Sequence, residues 1–95
     1  MFDIYLMVIR DNIFSEIKNI LCFQTLDGVL NEALQRAKKI EYEWLYEDLD
    51  TDGLEELYDG TFDRKFKKDF INSLKTWHEW SIYEEFYVLA KDFTD

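Results

Sequence analysis

Thr25-Leu-Asp-Gly-Val-Leu-Asn-Glu-Ala-Leu-Gln-Arg-Ala-Lys-Lys-Ile-Glu-Tyr-Glu-Trp-Leu-Tyr-Glu47 is the stretch on which the fold turns. Leu26, Val29, Leu30, Ala33, Leu34, Ala37, Ile40, Trp44 and Leu45 recur at three- and four-residue steps. That spacing lines one side of an α-helix with apolar groups. Asp27, Asn31, Glu32, Gln35, Arg36, Lys38 and Lys39 fall on the other side. Thr25 has the side chain of a helix N-cap. The pattern predicts a helix from about Leu26 to about Glu47.

Upstream, residues 2–10 are β-branched and aromatic and read as a strand buried on most of both faces. Asp11-Asn12 is a tight-turn candidate. Residues 14–23 admit two readings. As a strand, Ile17, Asn19, Leu21 and Phe23 alternate with Lys18, Ile20 and Cys22. As a helix, Ile13, Ile17, Ile20 and Leu21 share a side. The strand is favoured, because a helix capped by Thr25 starts immediately afterwards.

Downstream, Asp48 to Gly53 breaks the long helix. A short helical turn is expected over Leu54 to Tyr58, with Asp52 and Glu55 spaced like a capping box. Gly60-Thr61 opens another helix, with Thr61 as candidate cap. Phe62, Phe66, Phe70, Ile71, Leu74 and Trp77 form its apolar stripe. Phe86, Val88 and Ala90 alternate with Tyr87, Leu89 and Lys91, the pattern of a closing strand. The expectation is an α+β fold: a small antiparallel β-sheet of about three strands in ββααβ order, with two main helices packed on one face.

The 95 residues suit a single domain over 1–95. With 47% hydrophobic and 18% aromatic residues the chain can bury a core despite its 34% of charged residues, so disorder is not expected. A chain of this size buries somewhat over ~60% of its unfolded surface, which leaves little for a deep pocket. The one cysteine, Cys22, excludes an intrachain disulfide and fits a reducing compartment. Its apolar neighbours suggest a small core filler. The longest apolar run, Ile4 to Ile9, is too short to span a membrane. Asp3 before it and Arg10 after it reverse the charge order of a secretory signal. A cytoplasmic, full-length protein is expected. Proline is absent while Ile, Asn, Lys, Phe and Tyr are common, a usage typical of AT-rich genomes such as those of many phages and low-GC bacteria.

Charge is the feature that bears on function. The formal net charge is −10. Glu41, Glu43, Glu47, Asp48, Asp50, Asp52, Glu55, Glu56, Asp59 and Asp63 fall in a segment without a lysine or arginine. The remainder holds 21 − 10 = 11 acids against 11 bases, so the whole net charge sits in that segment. Crowding like charges costs self-repulsion, which a merely soluble surface avoids by scattering them. Tyr42, Trp44, Tyr46, Tyr58 and Phe62 lie among the acids. Aromatic area with steering charge suits a protein–protein interface. Such a surface repels nucleic acid and attracts proteins that bind it. The candidate partner-binding residues are Glu41, Glu43, Trp44, Glu47, Asp48, Asp50, Asp52, Glu55, Glu56 and Asp59. The bland alternative is a solvated face, partly neutralised by Arg64, Lys65, Lys67 and Lys68.

Residues 48–59, Asp-Leu-Asp-Thr-Asp-Gly-Leu-Glu-Glu-Leu-Tyr-Asp, resemble a calcium loop of the EF-hand type. The resemblance implies Asp48, Asp50, Asp52 and Asp59 as ligands and Gly53 at the sharp turn. It departs from the family at Asp59, shorter than the bidentate glutamate, and at Glu55, where an apolar residue is expected. The same acids could hold Mg²⁺ for phosphoryl chemistry, but they would repel the substrate and no glycine-rich phosphate loop accompanies them. A Ser–His or Cys–His device would have to use His78, the single histidine, and Cys22 lies in an apolar run that does not suit a nucleophile. No enzyme and no cofactor are expected. In size, acidity and aromatic content the chain is similar to DNA-mimic antirestriction proteins, anti-CRISPR proteins and nuclease-toxin immunity proteins. That likeness implies an inhibitor of a basic, nucleic-acid-handling protein. The competing expectation is a structural homo-oligomer, with residues 64–68 of one copy meeting 41–63 of the next.

Overall fold

In the computed structural model, residues 2–11 and 16–92 are described. The elements are β1 (Ile4–Asp11), β2 (Glu16–Phe23), α1 (Leu26–Glu47), α2 (Thr51–Tyr58), α3 (Thr61–Trp77), β3 (Glu79–Trp80) and β4 (Phe86–Lys91). The fold is α+β. The expected turn at Asp11-Asn12 falls, from Asn12 on, outside the described residues.

The strands form one antiparallel sheet in the order β2-β1-β4-β3. Tyr5 pairs with Phe23 and Ala90, and Met7 with Leu21 and Val88. Trp80 pairs with Val88. Because side chains alternate across a strand, these residues share one face. That face carries the core: Tyr5, Met7, Trp80, Phe86, Val88 and Ala90 pack with Val29, Leu30, Ala33 and Ala37 of α1 and Phe66, Phe70 and Leu74 of α3. Trp80 is its centre, with ring centroids 5.2 Å from Phe66, 5.2 Å from Phe70 and 5.4 Å from Phe86. Each such side chain contributes roughly 1.5–3 kcal/mol by leaving water.

Local chemistry sets the helix ends. Thr25 Oγ1 accepts from the Gly28 N–H at 3.0 Å and caps α1, as its side chain predicts. Leu49, at φ 55, takes a left-handed conformation that turns the chain sharply. α2 can therefore begin at Thr51, earlier than expected, and its cap is Asp50 rather than Asp52. Asp50 Oδ1 accepts from the Gly53 N–H at 3.0 Å. Gly60, not Thr61, caps α3. Its φ of 91 is open to glycine but strained for other residues.

Three further expectations are corrected. The sheet has a fourth strand, the two-residue β3, and the element order is ββαααββ. Two residues carry no periodicity to read, and β3 forms because His78 at φ 61 reverses the chain after α3. Cys22 is exposed rather than a core filler. It lies on the sheet face opposite the helices, as strand alternation next to Leu21 and Phe23 requires. Trp77 is spaced to continue the α3 stripe but stands 73% exposed, because the last turn runs past the core that ends at Leu74. No described helix is long and apolar enough to cross a membrane.

Candidate acidic interface

The buried residues of α1 stop at Ala37. The ten residues that follow extend the helix by about 15 Å. Their direction is set by Tyr83, in the segment joining β3 to β4. Its hydroxyl donates to Glu41 Oε1 at 2.9 Å, and its ring centroid lies 5.8 Å from that of Trp44. The segment leads into Phe86, which pairs with Ile9 near the end of β1. The distal half of α1 therefore sits at the sheet end where β1 finishes and β2 begins. α2 folds back against it. Gly53 permits the close approach, since a Cβ there would stand 2.5 Å from Leu45 Cδ2. Leu57, 3% exposed, is the buried residue of α2.

This arm carries every candidate partner-binding residue. Glu43, Trp44, Glu47, Asp48, Asp50, Asp52, Glu55, Glu56 and Asp59 are exposed, and Glu41 is half-buried beneath Tyr83. Burial and the adjoining Glu41 carboxylate push the Tyr83 hydroxyl far above its ordinary pKa. Asp59 Oδ1 accepts from the Thr61 N–H at 2.8 Å. The Thr61 hydroxyl and N–H, helped by Arg64, hold the Asp59 carboxyl below the usual range. Asp63 is compensated by Lys38 Nζ at 3.1 Å, although that contact lacks the alignment of a good hydrogen bond.

Comparison with protein-family models, curated proteins and solved structures finds no match. What the arm can do has to be read from its own chemistry. Among the described residues the ion pairs are Glu32–Arg36 and Lys38–Asp63. Neither draws on the basic run, so Arg64, Lys65, Lys67 and Lys68 do not neutralise the arm by direct pairing. Tyr42 and Tyr46 stack at 5.9 Å and are 42% and 61% exposed. Leu49 and Tyr58 are exposed at the tip. A shallow open groove runs along Thr51, Leu54, Glu55, Tyr58 and Asp59. Apolar rings set among unpaired carboxylates offer both ion pairing and cation–π contact to lysine and arginine side chains.

The calcium resemblance meets a different backbone, because Thr51–Tyr58 is helical. Asp50 and Asp59 use carboxylate oxygens on main-chain N–H groups. Among the described residues no group of three or more His, Cys, Asp or Glu is placed to hold a metal ion. His78 and Cys22 are not brought together: His78 caps α3 and its ring meets Phe2 at 5.0 Å, while Cys22 lies on the opposite face of the sheet. The residue that sequence reasoning missed is Tyr83. It orients the arm from 42 positions away, and no local pattern signals such a contact.

Proposed function

We propose that the protein binds a basic, nucleic-acid-handling protein in the cytoplasm and inhibits it without catalysis, the carboxylates of residues 41–63 standing in for phosphates. The observation that carries this reading is the projecting arm. Nine of its candidate residues are exposed, eight of them acidic, and stacked tyrosines lie between the charges. Charge steers the encounter and aromatic area holds the complex, as electrostatically guided interfaces require. A basic groove that normally binds a phosphate backbone meets both needs.

The test is a pulldown from lysate of the source cell at low and high salt, with a variant carrying Asp50→Asn, Asp52→Asn, Glu55→Gln and Glu56→Gln as control. Asparagine is as good an N-cap as aspartate, so α2 keeps its start. The expected result is a basic nucleic-acid enzyme retained by the native protein at low salt, released at high salt and lost by the folded variant. Equal retention by both proteins would sink the reading.

A second reading has its own support. Lys65, Lys67 and Lys68 are exposed and make no ion pair with the arm. They could meet the acidic segment of a neighbouring copy. A sizing column then shows an oligomer at low salt that dissociates at high salt, and a monomer at both counts against it.

A further inference from the structure

The sheet has an open side at β2. Among the described residues, β2 pairs with β1 alone, so its other edge is bonded to no strand, and the Ile20 N–H there donates only to its neighbour Asn19 Oδ1 at 2.9 Å, a local bond that strand pairing would exchange. Natural sheets guard such edges with charge, bulges or cover. The guard here is one-sided. Glu16 and Lys18 lie in the first half, where the register between β1 and β2 shifts. The second half, Asn19-Ile-Leu-Cys-Phe23, carries no charge. Ile20 is 49% exposed and Cys22 is exposed beside it.

We propose that residues 19–23 of β2 pair antiparallel with the same residues of a second copy, joining two four-stranded sheets into one of eight strands about a two-fold axis at Leu21. Antiparallel pairing about Leu21 sets Ile20 opposite Cys22 of the partner and Leu21 opposite itself. It keeps Glu16 and Lys18 outside the paired stretch. Ile20 and Cys22 then cover one another on the open face, while Leu21 and Phe23 extend the core face.

For two copies, electrostatics favours the antiparallel orientation over the parallel one. The arm lies at the end of the sheet where β2 begins, as Tyr83, Phe86 and Ile9 place it. Five strand residues separate Leu21 from that end, about 17 Å. The antiparallel two-fold points the two arms in opposite directions, at least ~34 Å apart along the strands. That is several times the screening length of about 8 Å at physiological ionic strength. Parallel pairing would bring the arms side by side. The paired edge is smaller than the ~800 Å² per partner of a standard stable interface, so a weak dimer is expected, with Kd on the order of 100 µM.

The experiment combines sedimentation with a thiol trap. The native chain should pass from monomer toward dimer as its concentration rises about tenfold either side of that Kd, and Ile20→Lys, at an exposed position, should stay monomeric. Under mild oxidation Ile20→Cys should form a disulfide-linked dimer, because residues 20 and 22 oppose one another within disulfide reach. The native chain, and Ile20→Cys combined with Cys22→Ser, should crosslink at least tenfold more slowly, since their thiols are only diagonal neighbours. Equal crosslinking of all three variants overturns the proposal, as does a dimer that survives Ile20→Lys. So does a native chain that remains monomeric throughout, which leaves the edge to an extended segment of another protein.

Discussion

Tyr83 joins the acidic arm to the core through two different forces. Its ring stacks on Phe86 at 5.9 Å and meets Trp80 at 6.0 Å, while its hydroxyl serves Glu41. Tyr83→Phe keeps the packing and removes the hydrogen bond. It should cost about 1–2 kcal/mol in chemical denaturation, the range for a hydrogen bond to a charged acceptor that is partly solvated. The pH dependence follows from the same contact. The folded pKa lies above the ordinary value of 10.0, so the proton is held more tightly in the folded chain. This stabilisation is complete below pH 10 and is lost as pH rises through the folded value. Native stability should therefore fall above about pH 10 more steeply than that of Tyr83→Phe, which paired melting curves would reveal. Tyr83 was illegible beforehand because its role depends on a partner far along the chain. Thr25 was legible because capping is local. Trp80 is a third case: it is 2% exposed and its Nε1 has no hydrogen-bond partner. Surrounding ring faces offer that N–H only a weak acceptor.

α1 is one helix with two environments. Its first half is a core element and its second half is the spine of the arm. The sequence pattern shows a single unbroken stripe, and Trp44 continues it by spacing while standing 48% exposed. Periodicity states which side a residue is on, not whether anything covers that side. The same limit explains Cys22, whose strand was read correctly and whose face was not. α2 packs against α1, where Gly53 allows the close approach, and against α3, and it buries Leu57. Leu57→Ala should remove about 2–4 kcal/mol from the packing of α2 by opening a cavity. Hydrogen exchange should then quicken in residues 51–58 while β1 amides, inside the sheet, stay protected. Uniform loss of protection would mean that the arm and the sheet unfold as one unit.

For the molecule as a whole, the clustering of charge was legible in the sequence and its elevation on a projecting arm was not. Eight exposed acids on so short an arm repel one another, and salt relieves that repulsion. The native protein should therefore melt several degrees higher in 0.5 M than in 0.01 M salt, on the order of 1 kcal/mol of relief for a chain this size. The fourfold Asn/Gln variant should show little of this dependence and should be at least as stable at low salt. A lower melting point for the variant at low salt would show that these carboxylates support the fold. The strand order has a consequence in time. β1, the strand through which the two hairpin-like halves meet, takes one neighbour from β2 and the other from β4. During synthesis β2 and the whole arm leave the ribosome first. At 5–20 residues per second, β1 waits roughly 4–15 s for its second neighbour. The nascent chain thus displays its acidic arm before its sheet is complete, and any helper that guards β1 must act within that interval.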